Sequence, residues 1–591
     1  MSLLIPGLAA ASCQLEKALE LPVMMSGLQP MISAQINDRD ALFVLDSGAF
    51  YSMISAATAA EFNLKLSPAP WGMRISGIGG AIEPSVVTIK KFTLAGLSIP
   101  NIDFLVGGSE VGGAGLLGQN FLDRWDVEYD FAKGVMRLFR AADCGTAVLA
   151  YWRTPGQSYS MMNILDAGHG GSGSRRTLGT GEVNGTKIRV KFDTGAWTSV
   201  LSLKAAARAG VKIDSPGVVE AGYSRGIGRG LAKQYIAQFS SFKIGDGEEI
   251  KNIRLRVSDI EMPDADMLLG ADFFVSHHVF VANSQRKLYL TYNGGAVFNL
   301  SKGAATQESN PQDAEVGAAV AAPEPAKSAD MTAAEMARRG AAYAARRDYG
   351  SALAELSKAV ELDPEESEYL CQRALVYRLN GQPALALADL DRALVLKPDF
   401  LPAYLPRAEI RLSEKNLDGA VADLDAVDRL AAKQSDLRLT IATRYEAADK
   451  FTQAIAEYDL WIQNHPEDSR IVDALGARCL ASALQNQDLT GGLVSCNRGL
   501  KIADRKNPNY GRLFANRGFI RLRQGEYQNA TSDFDAALLI LPKSAPALYG
   551  RGIAKMSTNN KAAGEADIAA AIKIAPNIEE QFKKRGIAPE P

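Results

Sequence analysis

Two short segments of this chain carry the same acidic signature. Asp46-Ser47-Gly48-Ala49 recurs as Asp193-Thr194-Gly195-Ala196, each beginning at the end of a strand-like run, residues 41–46 and 187–193. Two carboxyls held within hydrogen-bond reach cannot both ionise cheaply, so they share one proton. The ionised member can take a proton from water while the protonated member polarises a carbonyl, which is the acid–base work that amide hydrolysis demands. Asp46 and Asp193 are the two aspartates with matched contexts, and they are the candidate catalytic pair. The bland alternative is a turn: Asp-Ser-Gly is a common turn sequence, and Gly77 to Gly80 reads equally as a plain hairpin loop.

The duplication extends beyond the aspartates. Leu116-Leu117-Gly118 recurs as Leu268-Leu269-Gly270, which puts 72 and 77 residues between each aspartate and its later glycine. Between them each copy has a glycine-studded hairpin, one around Gly77, Ile78, Gly79 and Gly80, the other around Gly226, Ile227 and Gly228. This ordered set resembles the retropepsin-like aspartic proteases, in both copies and over most of the first 300 residues. The resemblance implies that the Ser47 and Thr194 hydroxyls interlock the two loops behind the pair. It implies that Gly48 and Gly195 let backbone amides approach the carboxylates without a Cβ in the way. The hydrophobic pairs before Gly118 and Gly270 would pack under each loop, and the hairpins would close over the cleft as flaps that exclude water.

Few other residues offer chemistry. None of the five cysteines forms a C-x-x-C pair, which argues against a zinc ribbon or a thioredoxin-type site. Cys13 precedes the first copy and Cys144 ends it, a pattern that suggests a disulfide in an exported protein. Cys371, Cys479 and Cys496 fall at helical positions and read as small core residues. His277 and His278 are neighbours on a predicted strand, so they point to opposite faces and read as structural. The glycine clusters at 107–118 and 168–181 lack the phosphate-loop pattern. A net charge of −2 gives no basic bias toward nucleic acid. No stretch approaches the ~20 apolar residues of a membrane span. Leu3 to Ala11 resembles the apolar core of a secretory signal without its basic start. The expected location is periplasmic or secreted, with cytoplasmic as the alternative.

Those residues need elements to place them. Residues 21–300 are rich in short alternating runs punctuated by glycine, which predict strands and turns. They divide into lobes at 21–145 and 165–300, joined by a connector from Tyr151 to Arg176, with residues 1–20 as a leader remnant. Residues 301–330 are a linker of alanine, glutamate, proline and serine with nothing to bury. From 331 to 591 the chain is helical and repeats every 34 residues: Gly340, Tyr343, Ala352, Ala359 and Pro364 are followed by Ala374, Tyr377, Ala386, Ala393 and Pro398. This resembles the tetratricopeptide repeat, about seven units, with Glu579 to Arg585 as a final cap.

The expected fold class is therefore multidomain: an all-β, double-lobed aspartic-protease unit followed by an all-α tetratricopeptide solenoid. The expected function is an aspartic endopeptidase with a peptide or protein substrate in the inter-lobe cleft and neither metal nor organic cofactor. The alternative is an inactive peptide-binding scaffold. The repeat groove would recruit an unknown protein partner through Arg373, Tyr377, Arg407, Arg411, Arg517 and Arg521. The linker's composition predicts two halves that fold independently.

Overall fold

The computed structural model describes residues 13–107, 112–154, 156–166, 176–226, 230–247, 249–298, 300, 331–505 and 508–589. Each lobe is a sheet rolled against itself. In the first, the order is Met24–Ser26, Gln29–Ile36, Arg39–Leu45, Gly115–Leu117, Met53–Ile54, Leu97–Val106, Ser85–Leu94 and Ser67–Pro68, and Gln29–Ile36 also pairs with Ser85–Leu94. In the second, Leu178–Val183, Thr186–Phe192, Met267–Leu269, Val200–Ser202, Glu249–Ser258, Ala232–Ile244 and Val219–Ser224 follow one another, and the first again pairs with Ala232–Ile244. Alternation builds these strands: Val87, Ile89, Phe92 and Leu94 face the core while Thr88, Lys90 and Lys91 face water. A short helix follows each acidic loop, Ala56–Glu61 and Leu203–Arg208. Ser55 and Ser202 cap them, each hydroxyl accepting from a backbone N–H three residues on.

A third sheet joins the lobes. Gln14–Pro22, Val135–Ala142, Asp126–Asp130, His277–Ala282, Lys287–Tyr292 and Ser160–Asn163 lie side by side, with Val127 opposite Val281 at the junction. The expected connector is partly built into it: Ser160–Asn163 is its edge strand, and Trp152 stacks on His278 with centroids 4.1 Å apart. Cys13 and Cys144 form a disulfide, with Cα atoms 4.3 Å apart.

From Ala333–Ala345 to Lys561–Ile574 the chain makes seven helical hairpins, capped by the short helix Ile578–Lys583. Phe582 of that cap lies 4.9 Å from Phe519 and 5.3 Å from Tyr549, ring to ring, sealing the last hairpin. Small residues sit at the crossings: a Cβ on Gly340 would come within 2.6 Å of Leu356. Three expectations are corrected here. The halves are not separate bodies, because Ala341 and Ala342 of the first repeat helix are buried in the same core as the lobes. Cys479 and Cys496 are not plain core residues but a disulfide across the hairpin of Ile471–Gln485 and Leu489–Ile502. Antiparallel helices bring residues 17 apart to the same level, a pairing that no local motif announces.

The third correction concerns the arginines. Arg373 grips Asp389 with two bonds of 2.8 Å, Arg407 pairs with Asp423 at 2.5 Å, and Arg517 with Asp533 at 2.7 Å. Arg411 and Arg521 join the same carboxylates at 2.8 and 2.9 Å. Arg551 repeats the arrangement with Asp567 at 2.6 Å. These forked pairs tie the two helices of a hairpin together and leave the arginines committed within the solenoid.

Candidate active site

The two acidic loops meet at the centre of the molecule, and their backbones are locked reciprocally. Ser47 N–H donates to Thr194 Oγ1 and Thr194 N–H to Ser47 Oγ, both at 3.0 Å. The hydroxyls then donate outward, Ser47 to the Phe192 carbonyl at 3.0 Å and Thr194 to the Leu45 carbonyl at 2.7 Å. Both side chains are buried, so the four bonds are shielded from water.

That lock presses the carboxyls together. A Cβ on Gly48 would lie 2.0 Å from Asp193 Cγ, and one on Gly195 would lie 2.3 Å from Asp46 Cγ. Each carboxyl thus fills space that only glycine leaves open on the opposite loop. Asp46 Oδ1 accepts from Gly48 N–H at 2.9 Å and Ala49 N–H at 2.7 Å, and Asp193 Oδ1 from Ala196 N–H at 3.1 Å. Burial, and next the negative charge of Asp193, push the Asp46 carboxyl up to about 7, against the opposing pull of Lys191 and the two amides. Tyr129 is buried beneath the loops, and burial together with the charge of Asp46 raises its phenol.

The hydrophobic-Gly segments support the loops from behind. Asp46 N–H donates to the Leu117 carbonyl at 3.0 Å and Asp193 N–H to the Leu269 carbonyl at 2.9 Å. Only one leucine of each pair lies beneath its loop. Leu117 and Leu269 enter the central core, while Leu116 and Leu268 turn to the other face, because successive strand residues point oppositely. A Cβ on Gly118 would lie 2.8 Å from Tyr51 backbone, and one on Gly270 2.7 Å from the Ala196 carbonyl. Serines clamp both segments: Gly118 N–H donates to Ser52 Oγ at 3.0 Å, and Gly270 N–H to Ser199 Oγ at 2.9 Å. Behind them Ser52 Oγ donates to Asn120 Oδ1 at 2.8 Å, and Ser199 Oγ to Asp272 Oδ1 at 2.7 Å.

The first flap is the hairpin of Ile75–Gly77 and Gly80–Ile82. Its tip residue Ile78 packs across the cleft on the second lobe's cluster of Val200, Ala232, Ile260 and Leu268. The second flap rises from the pairing of Val219–Ser224 with Ala232–Ile244. Gly226 approaches Ile78, and Gly230 N–H donates to the Gly79 carbonyl at 2.8 Å, so the two flaps touch. Ile227 and Gly228 lie outside the described residues.

Three functional neighbours escaped sequence reasoning. Lys191 Nζ stands 3.7 Å from Asp193 Oδ2. Its first-lobe equivalent in register is the apolar Val44, paired with Leu116 as Lys191 is with Leu268. A comparison of the two copies position by position would have exposed it. Gln119 bridges the lobes, donating to the Ser47 carbonyl at 2.7 Å and to Thr177 Oγ1 at 3.2 Å. Tyr129 carried no sequence signal.

Among the described residues Glu128, Asp130 and His278 form a buried group whose ligand-type atoms lie within 4.8 Å of one another. It sits on the junction of the inter-lobe sheet. His278 Nε2 is 2.6 Å from Glu128 Oε1, its Nδ1 faces Asp130 at 3.6 Å, and Tyr151 donates to Glu128 Oε2 at 2.5 Å. The two ring nitrogens address different carboxylates, so the group acts as an electrostatic stitch between lobes. His277 points the other way and stacks on Phe273 at 3.9 Å.

Comparison with known proteins follows the same division. Residues 32–121 match the family model "Aspartyl protease", and residues 179–276 match "gag-polyprotein putative aspartyl protease". Curated relatives include the human protein SGT1 homolog, 30% identical over 131 residues, which are 20% of this chain and 36% of the relative. Human serine/threonine-protein phosphatase 5 is 25% identical over 26% of this chain and 29% of its own length. The Hsp70-Hsp90 organizing protein of Triticum aestivum is 23% identical over 35% of this chain and 40% of its own length. The chain thus spans well under half of each of these relatives. Among solved structures, a tetratricopeptide repeat protein from Parabacteroides merdae aligns over 43% of this chain and 96% of its own, at 16% identity and TM-score 0.32. The N-terminal region thus consists of two all-β lobes that match aspartyl protease family models, and a solenoid of helical hairpins resembling tetratricopeptide repeat proteins follows them.

Proposed function

We propose that the protein is an aspartic endopeptidase that hydrolyses a peptide bond in an extended segment lying between the lobes and under the flaps. The observation that carries this reading is the mutual seating of the Asp46 and Asp193 carboxyls against the opposite loop's glycine. Below about pH 7 Asp46 keeps the proton, and Lys191 lies beside Asp193. Asp193 takes a proton from the attacking water as its oxygen bonds to the scissile carbonyl carbon, while Asp46 gives its proton to the carbonyl oxygen. The gem-diol collapses when Asp193 protonates the leaving nitrogen and Asp46 takes the proton of a gem-diol hydroxyl as C=O reforms and the C–N bond breaks, which restores the singly protonated pair. The closed flaps keep bulk water out during these steps.

Incubation of the full chain with a mixed peptide library, read by mass spectrometry, tests the reading. Asp46→Asn and Asp193→Asn should each abolish cleavage with melting unchanged in kind. Persistent cleavage in either variant would refute the pair. A fold that binds library peptides without cutting them would favour the scaffold alternative.

The repeat groove is the proposed site for a protein partner. A cavity of about 980 Å³ lies along its later hairpins, lined by Phe451, Leu480, Phe519, Ile540 and Phe582 with Arg512 at its side. Export to an oxidising compartment is proposed on the strength of two disulfides. No helix among the described residues is long and apolar enough to cross a membrane.

A further inference from the structure

The solenoid touches the candidate cleft through one flap. Arg225 stands just beyond the strand Val219–Ser224, and its guanidinium leaves the protease unit altogether. It pairs with Asp473 Oδ2 at 2.5 Å and donates to the Ser469 carbonyl at 3.3 Å, at the start of the repeat helix Ile471–Gln485. Asp473 is held ready for it, since its other oxygen accepts from Asn509. Tyr223, two residues earlier, and Leu231 on the returning side line a cavity of about 570 Å³ together with Asp473, Arg512 and Asn516. The flap therefore packs on the solenoid and forms one wall of this cavity.

The other ends of this contact are fixed. The same flap donates from Gly230 to the Gly79 carbonyl of the first flap, and Gly226 lies against Ile78. The solenoid's first helix is rooted in the protease core by Ala341 and Ala342. Arg346, just after it, lies against Gly295. A solenoid anchored at its base thus bears on the second flap, which in turn meets the first. To lift, the flap must break its contact with the repeats as well as its contact with the first flap.

We propose that the repeat solenoid holds the second flap as a ligand in cis, through Tyr223 and Arg225, and that opening the cleft requires this contact to be released. The surface that receives the flap fits an extended segment carrying an aromatic residue two positions before an arginine. Such a segment on a second protein would compete with the flap. The larger groove cavity adjoins this surface and shares Glu446, Leu480, Arg512 and Asn516 with it, so a partner lying there reaches the contact. The consequence for cleavage rests on the peptidase reading, but the contact itself does not.

Hydrogen exchange on the full chain tests the proposal without using catalysis. The reporter is the peptide spanning residues 219–226, with the helix Ile471–Gln485 as a control for folding. Arg225→Ala and Asp473→Asn should each speed exchange in the reporter about threefold or more, the scale of a partly exposed ion pair with an added hydrogen bond. The double variant should be no faster than the faster single, because both changes cut one contact. A synthetic peptide copying residues 219–226 should produce the same acceleration in the unmodified protein. The proposal is overturned if neither single variant changes the reporter, if the two effects add in full, or if the peptide leaves exchange unaltered. If exchange responds as expected yet the protein cuts no library peptide, the latch stands and the peptidase reading fails.

Discussion

Replacing Lys191 by methionine removes a charge and keeps most of the aliphatic stem, so it isolates the electrostatic part of this residue. The ammonium lies 3.7 Å from Asp193 Oδ2, and both side chains are mostly buried, at 19% and 13% exposure. Coulomb's law at that distance gives about 1 kcal/mol with water-like screening and about 4 kcal/mol at an effective dielectric of about 20. With about 1.4 kcal/mol per pKa unit, a shift of roughly 1 to 2 units is expected after discounting for residual solvent. The sign follows from charge. A cation favours the ionised carboxylates, so its loss raises the titration of the pair, which behaves as a coupled unit. Asp46, already pushed up to about 7 by burial and by Asp193, would keep its proton to higher pH. Tyr129 is the other ionisable group facing Asp46, and its phenol is raised, so it stays neutral through this window. The assay is the pH profile of kcat/KM on a peptide found in the library screen. The alkaline limb, which marks loss of the proton from Asp46, should move upward by about 1 to 2 units in Lys191→Met. Lys191→Arg should leave it close to the original position. A profile that falls in height but keeps its limb would show that Lys191 only packs, and the argument would fail.

Other expectations follow from the same structure. Asp272 is raised to about 6 by burial, while its first-lobe counterpart is the neutral Asn120. A carboxyl raised on folding costs stability as pH climbs from its unfolded value toward 6, so Asp272→Asn should melt with the wild type near pH 4. Above pH 6 it should be more stable, by up to about 3 kcal/mol; equal melting at pH 7.5 would refute this. The Cys13–Cys144 bridge spans 131 residues. Replacing both cysteines by serine should therefore cost on the order of 4 to 5 kcal/mol by the chain-entropy account, read as a lower denaturation midpoint. A midpoint indifferent to the substitution would show that the inter-lobe sheet already restrains that end.

Local pattern carried much of this architecture. The double Asp-Ser/Thr-Gly motif, the later hydrophobic-glycine segments and the 34-residue period are all read within a few residues of one another. Strand alternation and helical crossings impose them locally, so they survive in a linear text. The alternation also held the detail that only one leucine of each pair can lie beneath its loop. What the chain could not declare is what depends on two distant segments meeting. The Arg–Asp pairs within four of the hairpins look, in sequence, like charges on a solvated face, and only helix pairing turns them inward. Cys479 and Cys496 become partners because two helices run antiparallel. The first repeat helix joins the protease core across a linker whose composition signals separation. Arg225 finds Asp473 across 248 residues, and Lys191 acquires its meaning only when the second lobe brings it beside the carboxyl pair. Burial and charge neighbours belong to the folded molecule, so the sequence by itself determined which residues could do the chemistry. Their protonation, their cover and the hold on their flap were decided by tertiary packing.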